Sequence, residues 1–107
     1  MRRVFIEAKD FKKRVDELGG EELLQAIQNE ILKDPEKGSI IRETGGIRKL
    51  RLTLEGKGKS GGLRVFYLDS AEREKCYLLF ILKKSESENV SAEGKRMLKV
   101  LARKLKK

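Results

Sequence analysis

The residues with the clearest capacity for chemistry are six cations that lie within seventeen positions near the middle of the chain. They are Arg48, Lys49, Arg51, Lys57, Lys59 and Arg64, and Glu55 is the single acid among them. Arginine offers phosphate a planar, two-pronged contact, and lysine offers a mobile point charge. The segment therefore predicts a basic patch suited to a phosphate backbone, although strand cations also often serve only to solvate an exposed sheet face.

Other kinds of chemistry are excluded by composition. The chain has no histidine and one cysteine, Cys76. Histidine acid–base catalysis and histidine-ligated metal sites are therefore absent, and a lone cysteine forms no intramolecular disulfide, zinc cluster or iron–sulfur cluster. The segment Gly-Lys-Gly-Lys-Ser at 56–60 lacks the spacing of a nucleotide-binding loop and leads into a strand instead of a helix. We predict no metal and no cofactor.

The overall charge points to a polyanionic partner. Among 107 residues, 26 are Lys or Arg and 17 are Asp or Glu, so the formal net charge is +9. An excess of this size attracts nucleic acid first and an acidic protein second. No apolar run approaches the ~20 residues of a membrane span, and the first residues contain no apolar segment of signal-peptide length. We expect a cytoplasmic protein with no membrane partner.

The first half of the chain predicts a strand and two helices. Residues 3–7 are apolar enough for a short strand. Apolar residues then recur at helical spacing over 8–18, which Gly19 and Gly20 follow, and again over 21–33, which an Asp-Pro pair stops. Beyond them, a loop surrounds a short extended piece at 39–42.

The second half predicts three successive strands at 47–54, 63–68 and 76–82. The first alternates, so Lys49 and Arg51 lie on one face and the leucines on the other. Its connector to the second strand has four glycines in eight residues. The third strand is nearly all apolar, which is typical of a central strand buried on both faces.

A basic helix ends the predicted order. Ser91 is predicted to be the N-cap, and Leu98, Leu101 and Leu105 lie on one side of the helix. The fold class is therefore α+β, with the order β-α-α-β-β-β-α. We expect a single domain over 1–107, in which two N-terminal helices and the basic C-terminal helix pack on an antiparallel meander sheet.

Four segments of the chain resemble a known family. Residues 44–51, Thr-Gly-Gly-Ile-Arg-Lys-Leu-Arg, and 56–67, Gly-Lys-Gly-Lys-Ser-Gly-Gly-Leu-Arg-Val-Phe-Tyr, resemble the HigB branch of the RelE/ParE toxin superfamily. Residues 77–79 and 84–91 resemble the end of the last strand and the start of the last helix in that family. The predicted element order also agrees with its fold.

The resemblance implies the toxin of a type II toxin–antitoxin pair. Such toxins are ribosome-dependent, metal-independent mRNA endonucleases (mRNA interferases) that act on mRNA in the ribosomal A site. A cognate helix-turn-helix antitoxin neutralises them, and operator DNA is bound only through the toxin–antitoxin complex. These properties are expectations that the resemblance carries to this chain.

The resemblance also assigns roles to particular residues. Lys49, Arg51 and Arg64 match the cations that act on the scissile phosphate, and Lys84 matches a basic position after the last strand. The remaining cations of the segment are expected to hold RNA: Arg48, Lys57 and Lys59. Without histidine, the arginines would stabilise the charged phosphate and Lys49 would move protons, with Glu86 as an alternative base.

Three departures from the family pattern leave other functions open. Leu82 lies where many relatives carry tyrosine, and Ser91 lies where RelE itself carries tyrosine. Glu43 lies where relatives often carry glycine. The alternatives are a ParE-like gyrase inhibitor, a non-catalytic RNA- or ribosome-binding module, and an inactive relative that still binds its antitoxin.

Overall fold

The computed structural model describes residues 2–53, 62–86 and 91–106. Its elements are β1 (Val4–Glu7), α1 (Lys9–Leu18), α2 (Gly20–Lys33), β2 (Ser39–Ile40), β3 (Arg48–Leu52), β4 (Leu63–Ser70), β5 (Lys75–Lys83), a 3₁₀ turn (Lys84–Glu86) and α3 (Ala92–Lys106). The predicted α+β class is confirmed. The extended piece expected at 39–42 contains the two-residue strand β2, which adds one strand to the predicted order. Lys57 and Lys59 lie outside the described residues.

The five strands form one sheet in the order β1-β5-β4-β3-β2. β1 runs parallel to β5, and the other neighbours are antiparallel, so the predicted meander is β3, β4 and β5. β5 lies inside the sheet, and Cys76, Leu78 and Leu79 on it are buried. This agrees with the strand buried on both faces that its apolar sequence predicts.

Helices cover both faces of the sheet. On one face, α1 and α2 bury Phe11 and Ile27 in a core that includes Leu50 of β3. On the other face, α3 buries Leu98 and Ala102 in a second core. Lys49 and Arg51 alternate with the leucines of β3, so these two cations lie on the α3 face.

The Thr-Gly-Gly motif builds the turn that leads into β3. Thr44 is fully buried, and its hydroxyl donates to Ile41 O at 2.7 Å and accepts from Ile47 N at 3.2 Å. Gly45 and Gly46 have φ of +79° and +111°, a region that favours glycine. This part of the motif therefore sets the start of β3.

Both ends of α3 are anchored. The Ser91 hydroxyl accepts a hydrogen bond from Gly94 N at 3.0 Å, which confirms the predicted N-cap. At the other end, the Arg73 guanidinium donates to Lys106 O at 2.7 Å and to Leu105 O at 3.3 Å. In the part of the chain that the structure describes, no helix is long and apolar enough to cross a membrane.

Candidate phosphate-binding site

Three of the predicted cations lie together on the α3 face of the sheet. Arg51 on β3 is directly paired with Arg64 on β4, and Lys49 is paired with Phe66 one row along. Directly opposed residues have Cα atoms ~4.5–5.5 Å apart, so their side chains are immediate neighbours. Arg51 is exposed, and Lys49 and Arg64 are half-buried. We call Lys49, Arg51 and Arg64 the sheet cation cluster.

Apolar side chains form the floor beside the sheet cation cluster. Leu82 on β5 is paired with Arg64, and Phe80 is paired with Phe66. The rings of Phe66 and Phe80 stack with centroids 4.5 Å apart. The cations therefore project beside half-buried apolar groups, where electrostatic attraction to an anion is screened less than in open water.

Lys84 lies at the same end of the sheet as Arg64. It is the first residue of the 3₁₀ turn after β5, and its backbone N donates to Gly62 O, just before β4, at 2.9 Å. Its side chain is exposed. The structure therefore brings Lys84 to the edge of the sheet cation cluster.

Arg48 is not part of this cluster. It is paired with Tyr67, so it lies on the face of the sheet that α1 and α2 cover. Its guanidinium donates to Gly38 O at 2.8 Å and to Glu36 O at 3.1 Å. The contacts of Arg48 hold the loop before β2, and the RNA contact predicted for it is not supported by this placement.

Glu86, the alternative base, is held by two donors. Its Oε1 accepts from Lys83 N at 2.7 Å and forms an ion pair with Arg14 of α1. The hydrogen bond from Lys83 N, followed by the contact with Arg14, lowers the pKa of Glu86 below its ordinary value. A lowered pKa makes a carboxylate a weaker base. Glu86 is therefore better suited to anchoring the turn that carries Lys84 than to proton transfer.

The neighbourhood of Lys49 contains two residues that sequence reasoning did not single out. Ser39 of β2 is paired with Lys49. Lys37 lies in the loop just before β2. Both line a cavity of about 280 Å³ together with Lys49 and Arg51. Lys37 also bonds Glu30 at 2.7 Å. Pairing between strands brings these residues together, and no local pattern of the sequence signals it.

The arrangement can bind and polarise a phosphate group. Two guanidinium groups on neighbouring strands can grip two of its oxygens, and Lys49 and Lys84 add mobile charges at either side. Within 2–53, 62–86 and 91–106, no group of three or more His, Cys, Asp or Glu residues is arranged to hold a metal ion. The chemistry that the cations themselves can supply is electrostatic stabilisation of the phosphate.

A comparison with protein families decides the family. The model described as the RelE toxin of the RelE / RelB toxin-antitoxin system matches residues 2–107. The chain belongs to the RelE toxin family. It is accordingly a toxin of a type II toxin–antitoxin system, as the sequence resemblance predicts, while assignment to the HigB branch stays a prediction.

Solved RelE structures share the fold. A mutant of the E. coli toxin RelE in the free state matches with a TM-score of 0.61 and 20% identity, covering 94% of this chain and 97% of that chain. The intact E. coli RelBE toxin–antitoxin complex matches with a TM-score of 0.59 and 20% identity, covering 83% of this chain and 100% of that chain. At this identity the likeness shows the RelE fold alone, so the roles of individual residues depend on the geometry described above.

Proposed function

We propose that this RelE-family toxin is a ribosome-dependent mRNA endonuclease, in which the sheet cation cluster and Lys84 clamp the scissile phosphate. The whole chain, 1–107, acts as one domain in the cytoplasm. Lys57 and Lys59, which lie outside the described residues, hold the RNA beside the clamp. Arg48 is left out of the clamp because its guanidinium is engaged on the other face of the sheet.

The direct pairing of Arg51 with Arg64 carries this proposal. Like charges that lie directly opposite on neighbouring strands destabilise a sheet. Among the described residues, neither arginine forms an ion pair with a carboxylate that would relieve this repulsion. A bound phosphate would relieve it, and most of all at the transition state, where the phosphate gains negative charge.

The proposed reaction is attack by a ribose 2′-oxygen on the adjacent phosphorus. The 2′-OH gives up its proton to a base, the 2′-oxygen–phosphorus bond forms, and the bond to the 5′-oxygen breaks. The leaving 5′-oxygen takes a proton, so the products are a 2′,3′-cyclic phosphate and a 5′-OH. The step balances without a metal ion or a cofactor, and Arg51 and Arg64 stabilise its pentacoordinate phosphate.

Proton transfer falls to the lysines beside the phosphate in this proposal. Lys49 lies next to the arginine pair, and Lys84 lies at its other side. The ribosome would hold the mRNA with its 2′-oxygen in line with the bond from phosphorus to the 5′-oxygen. The toxin would then need only to bind the phosphate and stabilise its charge. The isolated toxin is therefore expected to be a poor nuclease.

A cognate antitoxin is the proposed protein partner. The E. coli RelBE complex, whose toxin shares this fold, is a toxin–antitoxin assembly. We propose a helix-turn-helix antitoxin that neutralises this chain and brings it to operator DNA.

The test is induced expression in a bacterial host with primer extension on an abundant mRNA. The unmodified chain should arrest growth and create new 5′ ends inside translated codons, and these ends should vanish when translation is blocked. The double variant Lys49→Ala, Arg64→Ala should lose these ends. The matched control is Lys12→Ala, Lys13→Ala, which removes two exposed cations from α1 on the other side of the sheet. Normal cleavage by the Lys49, Arg64 variant would refute the clamp.

A second candidate function is ribosome binding without cleavage. The Ser91 hydroxyl, at the position where RelE itself carries tyrosine, is engaged as the N-cap of α3. This side chain therefore serves the helix and is not directed to substrate chemistry. Growth arrest without new 5′ ends would favour this second function, and arrest accompanied by a DNA-damage response would favour gyrase inhibition.

A further inference from the structure

The charge of the protein is divided unequally between the two layers that cover the sheet. α3 contains six basic residues and one acidic residue. α1 and α2 together contain five basic and six acidic residues. The helix on the same face of the sheet as the sheet cation cluster is therefore strongly positive, and the two helices on the other face are together close to neutral.

The basic residues of α3 are concentrated on one side of the helix. At 3.6 residues per turn, five of them fall within an arc of about 100°. They are Lys95, Arg96, Lys99, Arg103 and Lys106. The acid Glu93 lies outside this arc, as do the exposed apolar residues Met97 and Val100. We call this arc the α3 basic face.

One edge of the α3 basic face is directed towards the start of β3. The Lys106 ammonium group donates to Gly45 O, and a Cβ added at Gly45 would lie 3.3 Å from Cβ of Ala102. Gly45 belongs to the turn that leads into β3, the strand of Lys49 and Arg51. The basic face and the sheet cation cluster therefore lie on the same side of the molecule.

Among the described residues, no carboxylate neutralises the charges of the α3 basic face. Arg3, Arg14, Lys33 and Lys37 each form an ion pair with a carboxylate. In the described residues, no carboxylate is paired with Lys95, Arg96, Lys99 or Arg103, and the last three are exposed. Their mutual repulsion disfavours the free protein and is relieved by a polyanion.

The chemistry of the helix favours nucleic acid over a lipid surface. A membrane-binding amphipathic helix keeps its apolar side available for the bilayer. In α3 the apolar side is already used, because Leu98 and Ala102 are buried against the sheet. The exposed surface of α3 carries the row of cations and two apolar side chains, Met97 and Val100. The cations suit a phosphate backbone and its counterion release.

We propose that the α3 basic face binds backbone phosphates of ribosomal RNA and thereby holds the toxin on the ribosome. This inference rests on the proposed function, and it assigns α3 a task separate from cleavage. The sheet cation cluster takes the mRNA phosphate, and α3 takes the surrounding ribosomal RNA. The contacts are to phosphates, so they contribute affinity and position without sequence preference.

The experiment measures binding of the full chain to vacant ribosomes, without mRNA, at several salt concentrations. The variant Arg96→Gln, Lys99→Gln, Arg103→Gln should raise the dissociation constant at least tenfold at low salt. It should also reduce the slope of log affinity against log salt by about two to three, because each phosphate contact contributes about 0.7–0.9 to that slope. The matched control is Lys9→Gln, Lys12→Gln, Lys13→Gln, which removes the same charge from exposed positions of α1.

Each outcome decides for or against the proposal. Weaker ribosome binding and a smaller slope of log affinity against log salt, both in the α3 variant alone, support the proposal. Equal losses in both triple variants would show that net charge matters and that the basic face does not. If neither variant binds ribosomes more weakly, the proposal is overturned. It is also overturned if the α3 variant binds ribosomes normally and loses affinity only for vesicles of anionic lipid, measured in parallel. The single variants Arg96→Gln and Arg103→Gln, each expected to lower the slope by about one, keep the test valid if the triple variant misfolds.

The readout is independent of RNA cleavage. If vacant ribosomes bind the toxin through α3 and no mRNA is cut, the proposed endonuclease fails while the basic face stands. If mRNA is cut and the α3 variant binds normally, the endonuclease stands while the basic face fails.

Discussion

Arg51 on β3 and Arg64 on β4 lie directly opposite each other across an antiparallel strand pair. Such a pair weakens the free sheet, and in the proposed function a bound phosphate relieves the repulsion. Stability and phosphate binding are therefore opposed at these two positions, and each can be measured separately.

Removing one arginine of this pair should stabilise the protein. Arg51→Gln is expected to raise the free energy of unfolding by about 0.2–1 kcal/mol, the usual size of a single cross-strand pair interaction. Urea unfolding at low salt measures the gain, and 1 M salt should reduce it through screening. Lys49→Gln is the control, because Lys49 is paired with the uncharged Phe66 and should show little gain. A less stable Arg51→Gln variant would contradict the inferred repulsion.

The ion pair between Arg14 and Glu86 should position Lys84. Arg14 reaches from α1 to the turn after β5, where Glu86 also accepts from Lys83 N. Losing either side chain would let this turn shift, so Arg14→Gln and Glu86→Gln are each expected to lower cleavage of ribosome-bound mRNA about tenfold.

The double variant tests whether the substitutions at Arg14 and Glu86 lower mRNA cleavage through one shared contact or through two independent effects. Residues that act through one contact give non-additive effects, so Arg14→Gln, Glu86→Gln should be no worse than either single variant. Lys33→Gln removes a surface ion pair with Glu30 and should leave cleavage unchanged. Additive losses in the double variant would rule out a shared role.

The hydroxyl of Tyr67 should stabilise the loop before β2. It donates to Pro35 O at 2.7 Å and accepts from Gly38 N at 3.1 Å, both in buried surroundings. Tyr67→Phe leaves these two backbone groups without a partner, at an expected cost of about 1–3 kcal/mol. Urea unfolding checks this value. Tyr77→Phe is the control, because the Tyr77 hydroxyl makes no hydrogen bond within the described part of the chain.

Stability should fall at alkaline pH. Burial raises the pKa of the Cys76 thiol from 9.0 to about 12, and burial also raises the pKa of Tyr67 above 10.0. Above pH ~9 the thiol therefore ionises in the unfolded chain while the folded chain keeps its proton. The stability that the buried, protonated thiol contributes is fully present below pH ~9. It is lost as the pH rises further, and the free energy of unfolding falls by at most about 1.4 kcal/mol per pH unit for each group.

Urea midpoints between pH 7 and 10.5 measure this loss. The midpoint should stay level up to pH ~8.5 and then decline. Cys76→Ala should start lower, because it shortens a buried side chain, but its decline near pH 9 should be shallower. An identical decline in both proteins would show that Cys76 does not contribute.

The local features of this protein were determined by its sequence. Apolar residues at helical spacing predicted α1, α2 and α3, and the alternation in β3 placed Lys49 and Arg51 on one face. The cap at Ser91 was also visible, because its hydroxyl bonds a backbone N only three residues away. These features depend on neighbours in the chain, so a single sequence contains enough information to predict them.

The tertiary structure alone decided which distant residues meet. Arg51 is paired with Arg64, Arg48 is held on the opposite face, and Arg14 reaches Glu86 across 72 positions. These contacts depend on strand register and on how helices pack on the sheet. The alternation within a strand shows which of its residues share a face, but it does not show which residue of a distant strand lies opposite each of them.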